Sequence, residues 1–320
     1  MPAILPRLFR HFETRLHPTD PPPEQPPPAL GSPRALPRFY WHYARQARGL
    51  ILALLGAGLL VAFADSMIPV FIGRIVTLVS TLRPAELLPR AGWQLAGMAA
   101  VLLLARPGFV LLQLLVTNQG IAVGFTNLIR WQAHHHVVRQ SWSFFQNDFA
   151  GRIANRVMQV GPSLRESIVA STNAVWYIVV YGSSATALLA RVDWRLALPM
   201  LAWFAGYAML LRLFVPRLRD RSRAVSEVRS LLTGRVVDSY TNILTVKLFA
   251  TARDEDAVVQ GAVQQHSAAF HAQLRVTTRF TLTLMAMNAT LVASTAAAAL
   301  ALWSRGRIGV GAVAMALPLS

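Results

Sequence analysis

Six apolar stretches, almost free of charge, alternate with polar ones along this 320-residue chain. They lie near 50–73, 94–116, 168–190, 194–214, 280–303 and 308–320. At about 1.5 Å of rise per residue, the first five are long enough to cross a hydrocarbon core about 30 Å thick. The pattern predicts an all-α membrane protein. The sixth stretch is shorter and rises only roughly 20 Å as a helix. A helix that ends inside a bilayer leaves its last carbonyls without partners. The expectation is therefore an incomplete sixth helix, in a fragment of a longer product or a truncated gene.

The polar connections are uneven. Three are short: about 20 residues after the first span, then "ARVDWRL", then "WSRGRIG". The other two run about 50 and 65 residues, lack Gly/Pro/Ser clusters and carry apolar residues at spacings of three and four, so both read as helix. A continuous helix over 117–142 would extend roughly 38 Å. The expected architecture is six spans, three small turns on one side, and two long helical hairpins on the other.

Ahead of the spans, residues 1–17 place Leu5, Leu8, Phe9, Phe12 and Leu16 at helical spacing among Arg7, Arg10 and Arg15. Two readings stand side by side: a short surface helix on anionic lipid, or a frayed basic tail. Residues 18–37 hold nine prolines, which no helix or sheet tolerates. Residues 1–37 are thus expected to be a disordered, Pro-rich N-terminal tail. "RFYWHYARQAR" (38–48) mixes aromatics and cations directly before the first span, as an interfacial lead-in helix would.

Charge then orients the chain. The formal net charge of +17 raises the question of nucleic acid, but the placement of the cations along the chain reads as a topology signal. Arg and Lys number 7 in 1–48, 5 in 117–167 and 11 in 212–279, while the three short connections share only Arg83, Arg90, Arg191, Arg195, Arg305 and Arg307. That asymmetry places the N-terminus and both long connections in the cytoplasm, some of the arginines near anionic lipid, and makes nucleic acid an unlikely partner. Composition agrees, with 54% hydrophobic residues and a mean hydropathy of +0.42. The absence of cysteine excludes disulfides, thiolate catalysis and Cys-based metal sites. The run His134–His136 fans out by about 100° per residue on a helix, so its rings cannot converge on one ion and no metal site is expected.

Two motifs sit where the hairpins turn. "FFQNDFAGRIANRVMQVGPSLRESI" (144–168) orders an aromatic pair, a short polar turn, a glycine and a basic helix; "VVDSYTNILTVKLFATARDED" (236–256) has an apolar-Lys-x-Phe core followed by acidic residues. With the six-span layout and the ending "LWSRGRIGVGAVAMAL", these resemble the transmembrane domain of ATP-binding-cassette (ABC) exporters over residues 38–320, closest to bacterial multidrug-type half-transporters. The resemblance implies a six-helix fold in the bacterial inner membrane. It also implies that each hairpin tip carries a short coupling helix that docks in a groove of a nucleotide-binding domain. The second tip would reach the domain of a partner subunit, in a homo- or heterodimer of half-transporters.

On that resemblance, Phe144, Phe145 and Phe149 are candidate anchors in the first turn, with Asp148 as a helix cap, Gly151 permitting close approach, and Arg152 in the basic helix behind it. In the second turn Val246 and Phe249 are candidate anchors, with Lys247 and Arg253 at the rim. The other reading is that these aromatics pack the hairpins against one another. The chain departs from the complete family pattern in one respect: it contains no G-x-x-x-x-G-K-[ST] phosphate loop. No catalytic residue and no cofactor site is expected in these residues; ATP and Mg²⁺ would bind a nucleotide-binding domain downstream or on a separate chain.

Inside the spans, Asp65 and Arg106 stand out, since charges at depth usually face a cavity or each other. Their helices are consecutive and antiparallel, and depths differing by about 9 Å are within reach of side-chain length and tilt. Both a polar patch on a translocation path and a structural ion pair fit. Ser163-x-x-Glu166 after "GP" reads as a capping box and a helix restart or kink, and Pro216 as a kink below the fourth span. The alternatives to an exporter are an ion-coupled secondary transporter, which would show repeats and broken helices, and an inactive or interaction-only truncated membrane fragment.

Overall fold

The computed structural model describes residues 4–28, 35–146, 150–248 and 252–319, and their regular elements are all helical. Helix α1 (Ile4–Glu13) precedes the Pro-rich stretch; α2 (Ala35–Ala44) runs through a tight turn into α3 (Arg48–Thr81). Helices α4 (Pro84–Ala100), α5 (Arg106–Leu114) and α6 (Val123–Val138) follow as one run, joined by π-helical turns at Val101–Ala105 and Leu115–Ala122. After the short α7 (Trp142–Gln146), α8 (Ala150–Trp176) and α9 (Gly182–Val192) are joined by a third π-helical turn, Tyr177–Tyr181. Then come α10 (Trp194–Thr241), the short α11 (Ile243–Leu248), α12 (Ala252–Ser304) and α13 (Val310–Leu319).

Five runs are long and apolar enough to cross a membrane: Ala35–Thr81, Pro84–Val138, Ala150–Val192, Trp194–Thr241 and Arg253–Ser304. They contain the first five expected spans. Helix α13 is apolar but only 10 residues long.

Three local expectations are corrected. The connection of about 20 residues after the first span is helical almost throughout, leaving only Leu82 and Arg83 between helices. Arg83 is extended (ψ 148°) as a residue before proline prefers, and Pro84 opens α4, where its missing N–H costs nothing. The helix expected over 117–142 instead ends at Val138, and Trp142 begins a separate helix. No restart occurs at Ser163: α8 is continuous through Pro162, and Glu166 pairs with Arg165 at 2.9 Å instead of reaching back to a cap. Pro216 lies inside the continuous α10, where the expectation is a kink and not an interruption.

The last turn before α13 is decided by one glycine. Gly306 has φ +69°, a left-handed conformation that costs a residue with a Cβ. Its N–H donates to the Trp303 carbonyl (2.8 Å) and the Arg307 N–H to that of Leu302 (3.0 Å), which satisfies the final carbonyls of α12.

The chain divides into two compact units. The first holds residues 1–138, 159–201 and 291–320, the second 139–158 and 202–290. The core of the first unit gathers Leu50 and Leu54 from α3, Val116 and Ile121 from the second π turn, Phe125, Leu128 and Ile129 from α6, and Leu164 and Ile168 from α8. Leu16 is buried in the same cluster and Phe12 packs against it, so the helix Ile4–Glu13 and the turn after it bring apolar side chains against the protein itself. Helix α13 lies along α3 where two glycines face each other: a Cβ at Gly73 would sit 2.6 Å from the Gly311 carbonyl oxygen, and one at Gly311 would collide with Thr77 Oγ1. Small residues allow such backbone approach in membrane helices.

In the second unit α10 and α12 pair antiparallel. Trp203 Nε1 donates to Asn288 Oδ1 (2.9 Å), Gly206 admits Met287, Phe214 meets Phe280 edge-on at 5.7 Å, and Arg235 donates to the Val258 carbonyl (3.3 Å). Partners descend α12 as they climb α10, which fixes the direction. Only 11% of the apolar window of Trp194–Thr241 is buried by this chain. An apolar face that open needs lipid or another protein surface to cover it.

Candidate functional site

Two groups of residues stand apart from simple helix packing, one in each unit. The first lies among the apolar helices of the first unit. Asp65 projects from the middle of α3, and Arg106 opens α5 directly after the π turn Val101–Ala105. A π turn inserts an extra residue into the helical repeat, rotates the side chains that follow it, and recurs at functional sites. Here Arg106 Nε donates to Asp65 Oδ1 at 2.7 Å, with the two side chains 42% and 24% exposed. The structure thus brings together the two charges that the sequence places in adjacent spans. An apolar setting favours the pair because either ion alone would be left uncompensated. A third cation, Arg74, is held by Gln94 Oε1 through Nε and Nη2, both at 3.2 Å.

A cavity of about 470 Å³ opens beside this pair. Asp65 lines it together with Gln113, Asn173, Trp176 and Tyr177, over a floor that includes Gly58 and Ala62. Gln113 donates to Asn173 Oδ1 at 3.4 Å, and Trp176 keeps a buried Nε1–H without an acceptor among the described residues. Tyr177 and Tyr181, the two ends of the third π turn, stack at 5.1 Å with planes 8° apart, and the Tyr181 hydroxyl donates to the Pro318 carbonyl of α13 at 3.4 Å. Gln113, Asn173, Trp176 and Tyr177 were not among the residues singled out from sequence. Their signal is polar and aromatic side chains flanking π turns that an apolar run does not announce.

The second group comprises the hairpin turns. Phe144 and Phe145 both lie on α7, each 38% exposed, with their rings edge-on at 5.4 Å. The Ser141 carbonyl accepts from the Phe144 N–H (3.0 Å), which starts this five-residue helix. Asp148 and Phe149 lie outside the described residues, as does Phe249. Gly151 is in the first turn of α8 against Val237 of α10, and Arg152 beside it is half-buried. On α11, Val246 is half-buried and Lys247 exposed; Arg253, at the start of α12, is exposed.

The most exposed apolar residues of α11 are others: Leu244 at 70% and Leu248 at 71%. Their spacing of four puts both on one face of the helix, and that spacing was the available signal. Each turn therefore carries a short helix with exposed large apolar side chains: Trp142, Phe144 and Phe145 on α7, and Ile243, Leu244 and Leu248 on α11.

Comparison with known proteins follows the same lines. Residues 51–319 match the family model described as ABC transporter transmembrane region. Over 318 residues the chain is 33% identical to an uncharacterized ABC transporter ATP-binding protein of Haemophilus influenzae, covering 98% of this chain and 50% of that protein. It is also 28% identical over 131 residues to a putative multidrug export ATP-binding/permease protein of Staphylococcus aureus, covering 40% of this chain and 22% of that one. The chain spans half the length of the first relative.

Proposed function

This chain belongs to the ABC transporter transmembrane-region family, and on that premise we propose that it is the membrane-spanning, substrate-translocating half of an ATP-driven exporter. The observation that carries this reading is the pair of short helices α7 and α11, each with exposed apolar side chains, in a chain of this family without a phosphate-binding loop. Phe144 and Phe145 on one tip, and Leu244 and Leu248 on the other, are the anchors. Each helix lies in a groove of a nucleotide-binding domain, with Lys247 and Arg253 at the polar rim.

ATP and Mg²⁺ belong to that domain, which follows in the intact product or is a separate chain. The names of the relatives support this: the Haemophilus influenzae protein is described as an ABC transporter ATP-binding protein, and the Staphylococcus aureus one joins ATP binding to a permease. Arginine-rich connections favour a cytoplasmic N-terminus and cytoplasmic tips in a bacterial inner membrane. The open apolar faces favour a dimer of two such halves, alike or different, enclosing a path on which Asp65 and Arg106 stand. ATP binding draws the docked domains together and the tip helices carry that motion to the spans.

Inverted vesicles containing the complete protein test the reading. ATP-dependent accumulation of a cargo, abolished by a non-hydrolysable nucleotide, supports it. Accumulation driven by a proton or sodium gradient without ATP rejects it in favour of a secondary transporter.

A further inference from the structure

The cavity of the first unit has a chemical bias that the family assignment does not supply. Of the charged pair, Asp65 lines the wall and Arg106 does not. Asp65 therefore shares the cavity wall with Trp176 and Tyr177. Aromatic faces attract cations, and the attraction grows when water is excluded. A carboxylate beside two aromatic rings is a recognition set for an organic cation. The volume of about 470 Å³ suits a small drug-sized molecule. The Gln113 and Asn173 amides and the Trp176 Nε1–H supply hydrogen bonds for a neutral polar group.

Arg106 decides how the cation enters. Its Nε holds only Oδ1 of Asp65, and its side chain is 42% exposed. A ligand that simply joined the pair would add an uncompensated positive charge among apolar helices, which is costly. A ligand that replaces Arg106 on Asp65 keeps the site neutral, while the long Arg106 side chain extends its head to a polar interface. We propose that this cavity takes an organic monocation with an aromatic or apolar body, bound by exchange of its ammonium group for Arg106 on Asp65. The proposal deepens the exporter reading, and rests on it, by naming the cargo class of the path on which Asp65 stands.

The test is equilibrium binding, which needs neither turnover nor a docked domain. The complete protein in lipid nanodiscs is titrated with (2-naphthylmethyl)trimethylammonium and with its carbon isostere, in which a tert-butyl group replaces the charged head. Protein-free bilayers give the background. The wild type is expected to prefer the cation at least tenfold. Asp65→Asn abolishes that preference while leaving the affinity for the isostere unchanged, which shows that the cavity still stands. Asp65→Glu keeps the preference. Arg106→Gln strengthens cation binding threefold or more, because the competitor is gone. Equal affinity for both probes in the wild type overturns the proposal, as does a preference that survives Asp65→Asn or one that falls in Arg106→Gln. Failure of the exporter reading shows elsewhere, as cargo movement that does not depend on ATP.

Discussion

Gly151 and Val237 join the two hairpin turns: a Cβ at position 151 would lie 2.7 Å from Cγ1 and 2.8 Å from Cγ2 of Val237. The first turn of α8 and the last turn of α10 meet there without room for one more carbon. Gly151→Val is expected to destabilise this contact by about 1–3 kcal/mol, the usual cost of overpacking. Thermal unfolding of the purified protein checks this. Because the partners touch, the effects do not add: Gly151→Ala combined with Val237→Ala recovers at least half of what Gly151→Ala alone loses. A double variant no better than Gly151→Ala would show that the contact does not set the cost.

Removing the exposed apolar side chains of α7 and α11 tests the proposed docking role of the two turns. In Phe144→Ala/Phe145→Ala and in Leu244→Ala/Leu248→Ala, ATP-driven accumulation in vesicles falls at least tenfold, while the protein reaches the membrane at its normal level. Anchor residues at interfaces typically cost more than about 1–2 kcal/mol each when truncated, so paired losses exceed that threshold comfortably. Full transport in either double variant would mean that these side chains serve only their own hairpins.

Lys247 gives a footprint, because it is the sole lysine among the 31 cationic residues of this chain. It is exposed on α11, so an amine-reactive ester modifies it in the absence of a docked partner. With the nucleotide-binding domain present, modification of the peptide carrying Lys247 slows at least threefold, as read by mass spectrometry. An unchanged rate would place the second tip away from the partner surface.

The α3–α13 crossing predicts a size limit. Gly73→Val drives a branched side chain into the Gly311 backbone, and Gly311→Val does the same toward Thr77. Each is expected to lower the unfolding temperature of the detergent-solubilised protein. By contrast Gly97→Ala, where an added Cβ meets nothing within 4 Å, leaves it unchanged or raises it, since alanine is the better helix former by about 1 kcal/mol.

Much of this arrangement was legible in the chain because bilayers impose strong rules. Apolar runs of span length predict the helices, and two charges in adjacent spans, Asp65 and Arg106, can be matched with each other. The hairpin turns were located by their aromatic and Lys-x-Phe motifs. What escaped notice depends on long-range contacts or on subtle backbone geometry. The π turns carry no signature, since Leu and Val in "VLLLA" suit either repeat. The burial of Leu16 among residues of α3, the second π turn, α6 and α8 is not encoded in a local pattern. Leu244 and Leu248 lie outside the Lys-x-Phe core that points to Val246, and only their spacing of four on one helical face marks them. Gly161-Pro162 was taken as punctuation, yet α8 passes through it, since a single proline removes one hydrogen bond without forcing a helix to end.

The glycine crossing also sets an order of events in the making of the protein. Gly311 is polymerised 238 residues after Gly73, a delay of roughly 10–50 s at ribosomal rates of about 5–20 residues per second. Through that interval the face of α3 around Gly73 has no α13 to meet, and lipid chains or a neighbouring span must occupy it. Helix α3 thus waits for α13 as a neighbour, and the notch of two glycines is a seat held open for a helix that arrives later.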